Sequence, residues 1–574
     1  MASGNSPPVV GSGVPAGLDP VDFEVVRNAL ANVTEEMALT MRRAAYSTNV
    51  KTRGDFSCAV FDRHLQCVAQ SFGQPAHLVY MCIIVPGAVR EFGIERLKPG
   101  DQIIVNDPHR GSSHLNDITC ITPAIIGGRL VGYVATMAHH VDVGGSVPAS
   151  FGNSAELFQE GFIIPPTRLV AEGELDPNIL GYLLANVRAP REMGGDLRAQ
   201  VSAAAVGVRR LSELLQRYRP EVVDRVCEAL VAYTARWTEN EIRSFPEGIY
   251  RAEGALDDDG HTDEPVRLCV SVEIRDGYVT LDAATGSAPQ RAFSFNCTRW
   301  MSFVPIAFVV RCLVNQAIPL NSGFLSRIRS VGPQGTVCSA VRPAAVAGSG
   351  ETMMRLCDLI WEALHPAMPD RVPAPGKGLL VLLGIGGHDP RREEYFAYME
   401  TIAGGNGARP GKDGPDAVQT NMTNTENAPI EEIELNYPLL IGRYELIPDS
   451  CGAGRWRGGL GLRRDFVFPY AEATVTLLTD GCKSGPRGLA GGGPAQPAAF
   501  ILSSATTERR LPSKITFSVS RGDTLSIRTP GGGGMGHPVD RDPVAVHEDL
   551  RNAKITADYE AIHYRRGNTE LEPA

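Results

Sequence analysis

Apolar residues recur at helical spacing from Phe23 through Val26, Leu30, Val33, Met37 and Met41 to Ala44. One such stripe faces a core while the rest of the helix meets water. Asp19-Pro20 supplies the start, aspartate as cap and proline as first residue. The same periodicity predicts helices over 196–217 (Leu197, Val201, Ala204, Val208, Leu211, Leu215) and 220–244 (Val223, Val226, Leu230, Tyr233, Trp237). Gly54–Asp62 reads as a strand ending in a turn, and a second follows from Val68. Residues 130–138 are almost wholly apolar and read as a buried strand. Beyond Pro246 the pattern alternates by two, as in Val266–Ile274 and Tyr278–Asp282, with helical segments returning at 301–315 and 352–364. Strands at 473–478, 498–502, 514–520 and 524–528 lie among glycine-rich turns. Helices and strands mix without a regular βαβ rhythm, so the fold class expected is α+β, mixed and multi-layered. Its helical and strand N-terminal part covers 18–245, and a β-rich, glycine-rich part covers 246–552. A disordered tail is expected at 1–17, and a C-terminal tail at 553–574.

Composition narrows the partners. With 43% hydrophobic and 21% charged residues, the 574-residue chain can bury several domain-sized cores. A net charge of -10 and the lack of any basic run argue against nucleic acid or an anionic membrane as partner. The longest apolar stretch, Phe303–Val314, is broken by Arg311 and too short to span a bilayer. The N-terminus lacks the charged start and apolar core of a signal peptide. Twelve scattered cysteines without a C-x-x-C pair are the usage of reduced, buried thiols, so a cytoplasmic location is expected.

Chemistry concentrates in Asn106-Asp107-Pro108-His109 through His114-Leu115-Asn116-Asp117, followed by His139-His140-Val141-Asp142. Two histidines and one aspartate with positions left open form a ligand set of the catalytic kind. His114 and Asp117 stand three apart, so one turn presents both to a point. Along a strand His139 and His140 point opposite ways, while His140 shares a side with Asp142. The set expected is therefore His114, Asp117 and His140 around a divalent metal, manganese or zinc, with iron ranked lower. His139, Asp142 and Asp107 are candidates for proton relay or for fixing imidazole tautomers. Asp55, His77 and His109 are candidates for outer contacts or substrate. The bland alternative is a hydrogen-bonded knot, since no standard zinc spacing is matched and Asp107-Pro108 is an ordinary turn signal.

The glycine-rich loops fail as nucleotide sites. In Gly405–Asp413, Asn406 stands where a phosphate loop needs its first glycine, and Asp413 replaces the magnesium-binding hydroxyl. Gly452–Gly458 is one residue out of step with a dinucleotide fingerprint. No ATP or NAD site is expected on this chain. The run containing Gly532, Gly533 and Gly534 could still nest an anion, helped by Arg455, Arg457 and Arg487; tight turns with solvated arginines are the plainer reading.

Arg53-Gly-Asp-Phe-Ser, Pro75-Ala-His-Leu, Asn106-Asp-Pro with His114 and Asp117, Asn186-Val-Arg-Ala-Pro-Arg-Glu-Met-Gly-Gly-Asp, Glu400-Thr-Ile-Ala-Gly-Gly, Thr423-Asn-Thr-Glu-Asn-Ala-Pro, Gly454-Arg-Trp-Arg-Gly-Gly and Pro530-Gly-Gly-Gly-Gly-Met-Gly occur in order. In these blocks the chain resembles the hydantoinase B/5-oxoprolinase family, which includes the alpha subunits of acetone carboxylases. The resemblance implies a B-type (alpha) subunit of an ATP-dependent cyclic amide hydrolase. A separate A-type (beta) subunit would use ATP to phosphorylate the substrate, and this chain would complete the reaction in a hetero-oligomer. The family's metal pattern, His-x-x-Asp and a later His, is assigned here to His114, Asp117 and His140. Thr52 stands where relatives are expected to carry an acidic residue, which leaves no role for it. The substrate expected is a lactam or hydantoin, or a ketone if the chain is instead a carboxylase subunit. A non-catalytic scaffold is the reading from a different class.

Overall fold

The computed structural model describes residues 18–564, so the tail expected at 1–17 and the end of the one expected from 553 lie outside the described residues. The fold is α+β, with four sheets and the helices layered among them. Seven strands form the first sheet: β1 (Phe56–Asp62), β2 (Cys67–Gln70), β3 (Gln102–Val105), β4 (Asp117–Ile126), β5 (Arg129–His139), β6 (Thr167–Ala171) and β7 (Glu174–Leu175). Their order is β2-β1-β5-β4-β3-β6-β7, with antiparallel neighbours throughout.

This sheet is covered on both faces, which explains the unbroken apolar run of β5. Val134 and Ala138 pack with Phe23, Met37, Ala203 and Leu211 from helices Pro20–Ala44 and Pro190–Arg217. Tyr133, Ala135 and Met137 face the other way, toward helix Pro75–Phe92 and its Val79, Met81 and Val85. The alternation therefore assigns odd positions of β5 to one layer and even positions to the other.

The helix expected from 196 begins at Pro190, where proline occupies the first turn. Helix Pro75–Phe92 is absent from the periodic reading because it is apolar nearly all round and carries Pro86 inside. A helix wedged between layers has little polar face to display. Two C-terminal sheets pack face to face over a shared core of Leu383, Ile385, Tyr398, Phe466, Phe500 and Ile527. Within the expected C-terminal tail, a short helix, Ala557–His563, docks through Tyr559, whose hydroxyl donates to the Cys451 carbonyl at 2.6 Å. Among the described residues no helix is long and apolar enough to cross a membrane.

The glycine-rich loops meet one another backbone to backbone. A Cβ added at Gly532 would lie 1.9 Å from the Asn406 carbonyl oxygen, and one at Gly458 would lie 1.8 Å from that of Gly532. Only glycine permits such an approach. The anion nest expected at Gly532, Gly533 and Gly534 is thereby corrected: their amides donate to Gly459, Pro375 and Gly493 carbonyls at 2.9, 2.9 and 3.0 Å. Arg457 is buried against Asp549 and Asp416, and Arg455 lies over the Trp456 ring. Neither loop amides nor the Arg457 guanidinium are left to receive an anion.

Candidate metal centre

β4 begins at Asp117 and β5 ends at His139, and the two are direct cross-strand partners. Partners in an antiparallel pair project to the same face. His114 sits on the turn entering β4, closed by the Asp117 amide donating to the His114 carbonyl at 3.1 Å. His114, Asp117 and His139 thus come together, with one ligand atom from each lying within 4.8 Å of the others. The rings of His114 and His139 meet edge to face at 4.8 Å, and Phe151 stacks on His139 at 5.6 Å.

The expected third member, His140, is corrected by this geometry. It falls on the even face of β5, where its Nε2 lies 3.0 Å from Gln200 Oε1 on helix Pro190–Arg217. His139 takes its place. The alternation expected between the two histidines holds, but the face belonging to Asp117 is the other one.

Neighbours hold the three side chains from behind. Asn49 Nδ2 lies 2.9 Å from His139 Nδ1, and Asn49 Oδ1 accepts from Arg53. Ser113 donates to Asp117 Oδ2, and His77 Nε2, on the first turn of helix Pro75–Phe92, stands 3.3 Å from the same oxygen. Asp55 lies 3.9 Å from His77 and accepts from Gln74 at 3.3 Å. Asp55 and His77, expected as outer contacts, do line the cavity.

What remains free is informative. His114 Nε2, His139 Nε2 and Asp117 Oδ1 are buried without a hydrogen-bond partner. Buried polar atoms are normally paired, so three orphans on residues whose ligand atoms gather within 4.8 Å point to an occupant; His114 Nε2 approaches Asp117 Oδ2 only to 3.6 Å. Burial pushes His139 down to about 4 and lowers His114 as well, leaving neutral imidazoles at neutral pH. Asp117 is also opposed by burial, but His77 and His114 outweigh it and hold the carboxyl below its usual range. Burial likewise works against protonation of His77, and the Asp117 and Asp55 carboxylates overcome it. Neutral imidazole and ionised carboxylate are the forms that bind a divalent cation, so the residues fit a metal.

The other expected site residues lie elsewhere. Asp142 accepts from the Gly144, Ala149 and Arg188 amides and pairs with the Arg188 guanidinium, tying down a loop. Asp107 caps the turn at His109 and is clamped by Arg110 and Arg342. His109 packs beside Arg342, its pKa lowered by burial and by that cation. The proton-relay roles expected of Asp142 and Asp107 are therefore corrected to structural ones. Tyr80, Met353, Leu380, Leu382 and Met399 also line the cavity and escaped the sequence reading, beside Met422 and the polar Gln74, Ser113, Thr401 and Thr423. Only Tyr80, one turn past His77 on the same helix, carried a signal that could have found it.

Residues 19–538 match the profile of the hydantoinase B/oxoprolinase family. The B-type component of a putative D-/L-hydantoinase from Pseudomonas sp. (strain NS671) is 32% identical over 97% of the chain and 96% of its own length. The crystal structure of the ATP-dependent caprolactamase from Pseudomonas jessenii superposes with a TM-score of 0.89 at 30% identity, covering 97% of this chain and 98% of that one. A nucleotide-free acetone carboxylase structure shares the fold, with a TM-score of 0.88 at 20% identity over 96% of this chain and 80% of that one.

Proposed function

The chain belongs to the hydantoinase B/oxoprolinase family, and from that membership we propose that it is the metal-carrying subunit of an ATP-dependent cyclic amide hydrolase. Its partner is an A-type subunit that phosphorylates the amide oxygen of a lactam or hydantoin, and the two work as a cytoplasmic hetero-oligomer. The observation that carries this reading is the gathering of His114, Asp117 and His139 in one cavity, a ligand atom of each within 4.8 Å of the others, while His114 Nε2, His139 Nε2 and Asp117 Oδ1 have no hydrogen-bond partner. A scaffold has no reason to keep such atoms bare.

In this reading His114, Asp117 and His139 hold a divalent ion, manganese or zinc. When bound, such an ion supplies Lewis acidity and lowers the pKa of an attached water. Phe151 fixes the planes of both imidazoles, and Asn49 turns His139 so that Nε2 faces the cavity. Ser113 and His77 hold Asp117 through Oδ2, the oxygen that also lies 3.6 Å from His114 Nε2, and leave Oδ1 without a partner. Asp55, beside His77, takes the proton released as water adds to the activated carbonyl carbon. The apolar wall keeps bulk water from the phosphorylated amide.

Two relatives at 32% and 30% identity are named for cyclic amides, whereas the carboxylase stands at 20%, so ketone carboxylation ranks second. His114→Ala in the complex of this chain with its ATP-using partner tests the proposal. Ring opening is expected to disappear together with stoichiometric metal, while the complex still assembles. Normal turnover by that variant would end it.

A further inference from the structure

Behind the metal cavity lies a larger cleft of 580 Å³, and the two share no lining residue. Small-molecule sites are usually of this size, about 300–1,000 Å³. Helix Ser349–Leu364 divides the two spaces. Its Gly350 and Met353 line the metal cavity, while Glu351, Arg355 and Asp358 line the cleft. Spacings of four and three set those last three on one face of the helix, and Glu362 continues it a turn further on.

Most charged groups of the cleft are already engaged. Glu351 accepts from the Leu380 and Val381 amides at 3.0 and 2.9 Å, and Lys377 donates to the Ile402 carbonyl and to Gln419 Oε1. Asp480 pairs with Lys514 at 2.7 Å, and Asp257 accepts from the Cys482 and Lys483 amides at 2.6 and 2.9 Å. Lys483 donates to the Asp257 and Asp263 carbonyls at 3.1 and 3.2 Å, and the Asp263 carboxylate stands in solvent 3.5 Å from it. Ser484 and Arg487 are exposed at the mouth, where Arg487 Nη1 lies 3.4 Å from Glu362 Oε2.

Arg355 and Asp358 differ from these. Arg355 Nη1 lies 3.9 Å from Asp358 Oδ2 and 3.8 Å from Glu362 Oε1, too far to bond either. Its side chain is only 18% exposed, yet among the described residues it donates no hydrogen bond. Guanidinium donors buried this far are normally bonded. Glu362 Oε1 is also buried without a hydrogen-bond partner. Asp358 accepts from Asn421 Nδ2 through Oδ1 at 3.1 Å, which leaves Oδ2 over. Gly378, at φ of 65°, keeps that oxygen uncovered, since a Cβ there would stand 2.5 Å from it. Gly254 makes room for the guanidinium in the same way, its added Cβ falling 2.9 Å from Arg355 Nη2.

A free guanidinium fork calls for a carboxylate, and a free carboxylate oxygen calls for an ammonium. The two protein groups are 3.9 Å apart, so one ligand meets both only if its own charges sit close together. An ammonium and a carboxylate on the same carbon meet that condition.

We propose that the cleft binds a free α-amino acid, its carboxylate on Arg355, its ammonium on Asp358 Oδ2 and its side chain toward the mouth at Ser484 and Arg487. The site is separate from the metal chemistry and stands whether or not the cyclic-amide reading does.

The test is calorimetric titration of the full chain with L-alanine, L-leucine and L-glutamine. Each is run beside the acid that lacks its ammonium and the amine that lacks its carboxylate, propionate and ethylamine in the case of alanine. Burial pushes the Asp358 carboxyl up to about 7, so titration at pH 8 keeps it ionised. At least one α-amino acid is expected to bind one-to-one, about 30-fold or more tighter than either of its singly charged analogues. Arg355→Gln and Asp358→Asn should each weaken it by about 10-fold or more. His114→Ala, which removes a metal ligand, should bind it as tightly as the native chain. No binding of any of the three, equal binding of an analogue, or loss of binding in His114→Ala overturns the inference. If a cleft variant does not fold, the native chain against the analogues still decides.

Discussion

The sequence offers two regions as candidate sites, one rich in histidine and one rich in glycine, and the structure separates them by what their polar atoms do. Around Gly532–Gly534 the amides find carbonyls, and the glycines exist to let backbones touch. Around His114, Asp117 and His139 one polar atom of each side chain goes without a hydrogen bond, although it is as deeply enclosed. Glycine content reports close packing there, not a phosphate cradle. Unmet polar demand, gathered at one point, marks the site.

The strongest way to break this contrast is to exchange the roles of the adjacent histidines. His139→Ala should abolish metal retention and lower turnover by a factor of about 10³ or more, with modest change in Tm. His140→Ala removes the partner of Gln200 and should instead cost about 1–3 kcal/mol of stability with the metal retained. Metal content after dialysis and thermal unfolding of both variants read the two outcomes. A metal-free His140→Ala protein beside a metal-loaded His139→Ala protein would restore His140 to the ligand set.

The exchange of His140 for His139 also marks where sequence reading stopped. β4 and β5 are joined by Gly127-Gly128, with Ile126 opposite Arg129. Counting back from that turn without interruption places Asp117 opposite Ala138, and so on the face of His140. The register slips by one between Ala124 and Ile125, and Asp117 comes to face His139. A single bulge flips every side chain beyond it, and nothing in the local composition announces it. The elements themselves were legible where one face is buried: helix Pro20–Ala44 starts at its expected proline, and strands Lys514–Val519 and Thr524–Arg528 lie where alternation put them. Helix Pro75–Phe92 was not, because burial on all sides erases periodicity. The cavity's apolar end was equally hidden, since Tyr80, Met353, Leu380 and Met422 meet only through tertiary packing.

The glycine side of the contrast is tested by one methyl group. In Gly458→Ala the new Cβ would meet the Gly532 carbonyl oxygen at 1.8 Å and the Gly533 carbonyl oxygen at 3.0 Å, both backbone atoms without freedom to swing away. A loss of about 3–5 kcal/mol, or failure to fold, is expected from overpacking with lost backbone hydrogen bonds. Urea denaturation measures it. A stable Gly458→Ala protein that has lost activity would make this loop a functional site after all.

A third region sharpens the rule, because an orphaned buried atom is not enough. Glu160 Oε2 has no hydrogen-bond partner either, yet among the described residues it belongs to no cluster of three ligand groups. Its other oxygen accepts from the Val346 and Ala347 amides at 2.8 Å each. Here the fold answers unmet demand by protonation: burial pushes the carboxyl up to about 8, against the pull of those two amides. A folded pKa above the unfolded one means that the folded chain keeps the proton while the unfolded chain has released it. Stability from Glu160 is therefore complete below about pH 4.3, the unfolded value, and is lost as pH rises toward 8. The slope has a ceiling of about 1.4 kcal/mol per pH unit for one group. Glu160→Gln keeps an oxygen for the two amides and cannot ionise, so it should flatten this part of the profile between about pH 5 and 8. Urea titrations of both proteins across that range check it, and parallel profiles would show that Glu160 enters the fold as an ion. Isolated demand is neutralised by a proton, and only the convergent demand at His114, Asp117 and His139 calls for a cation.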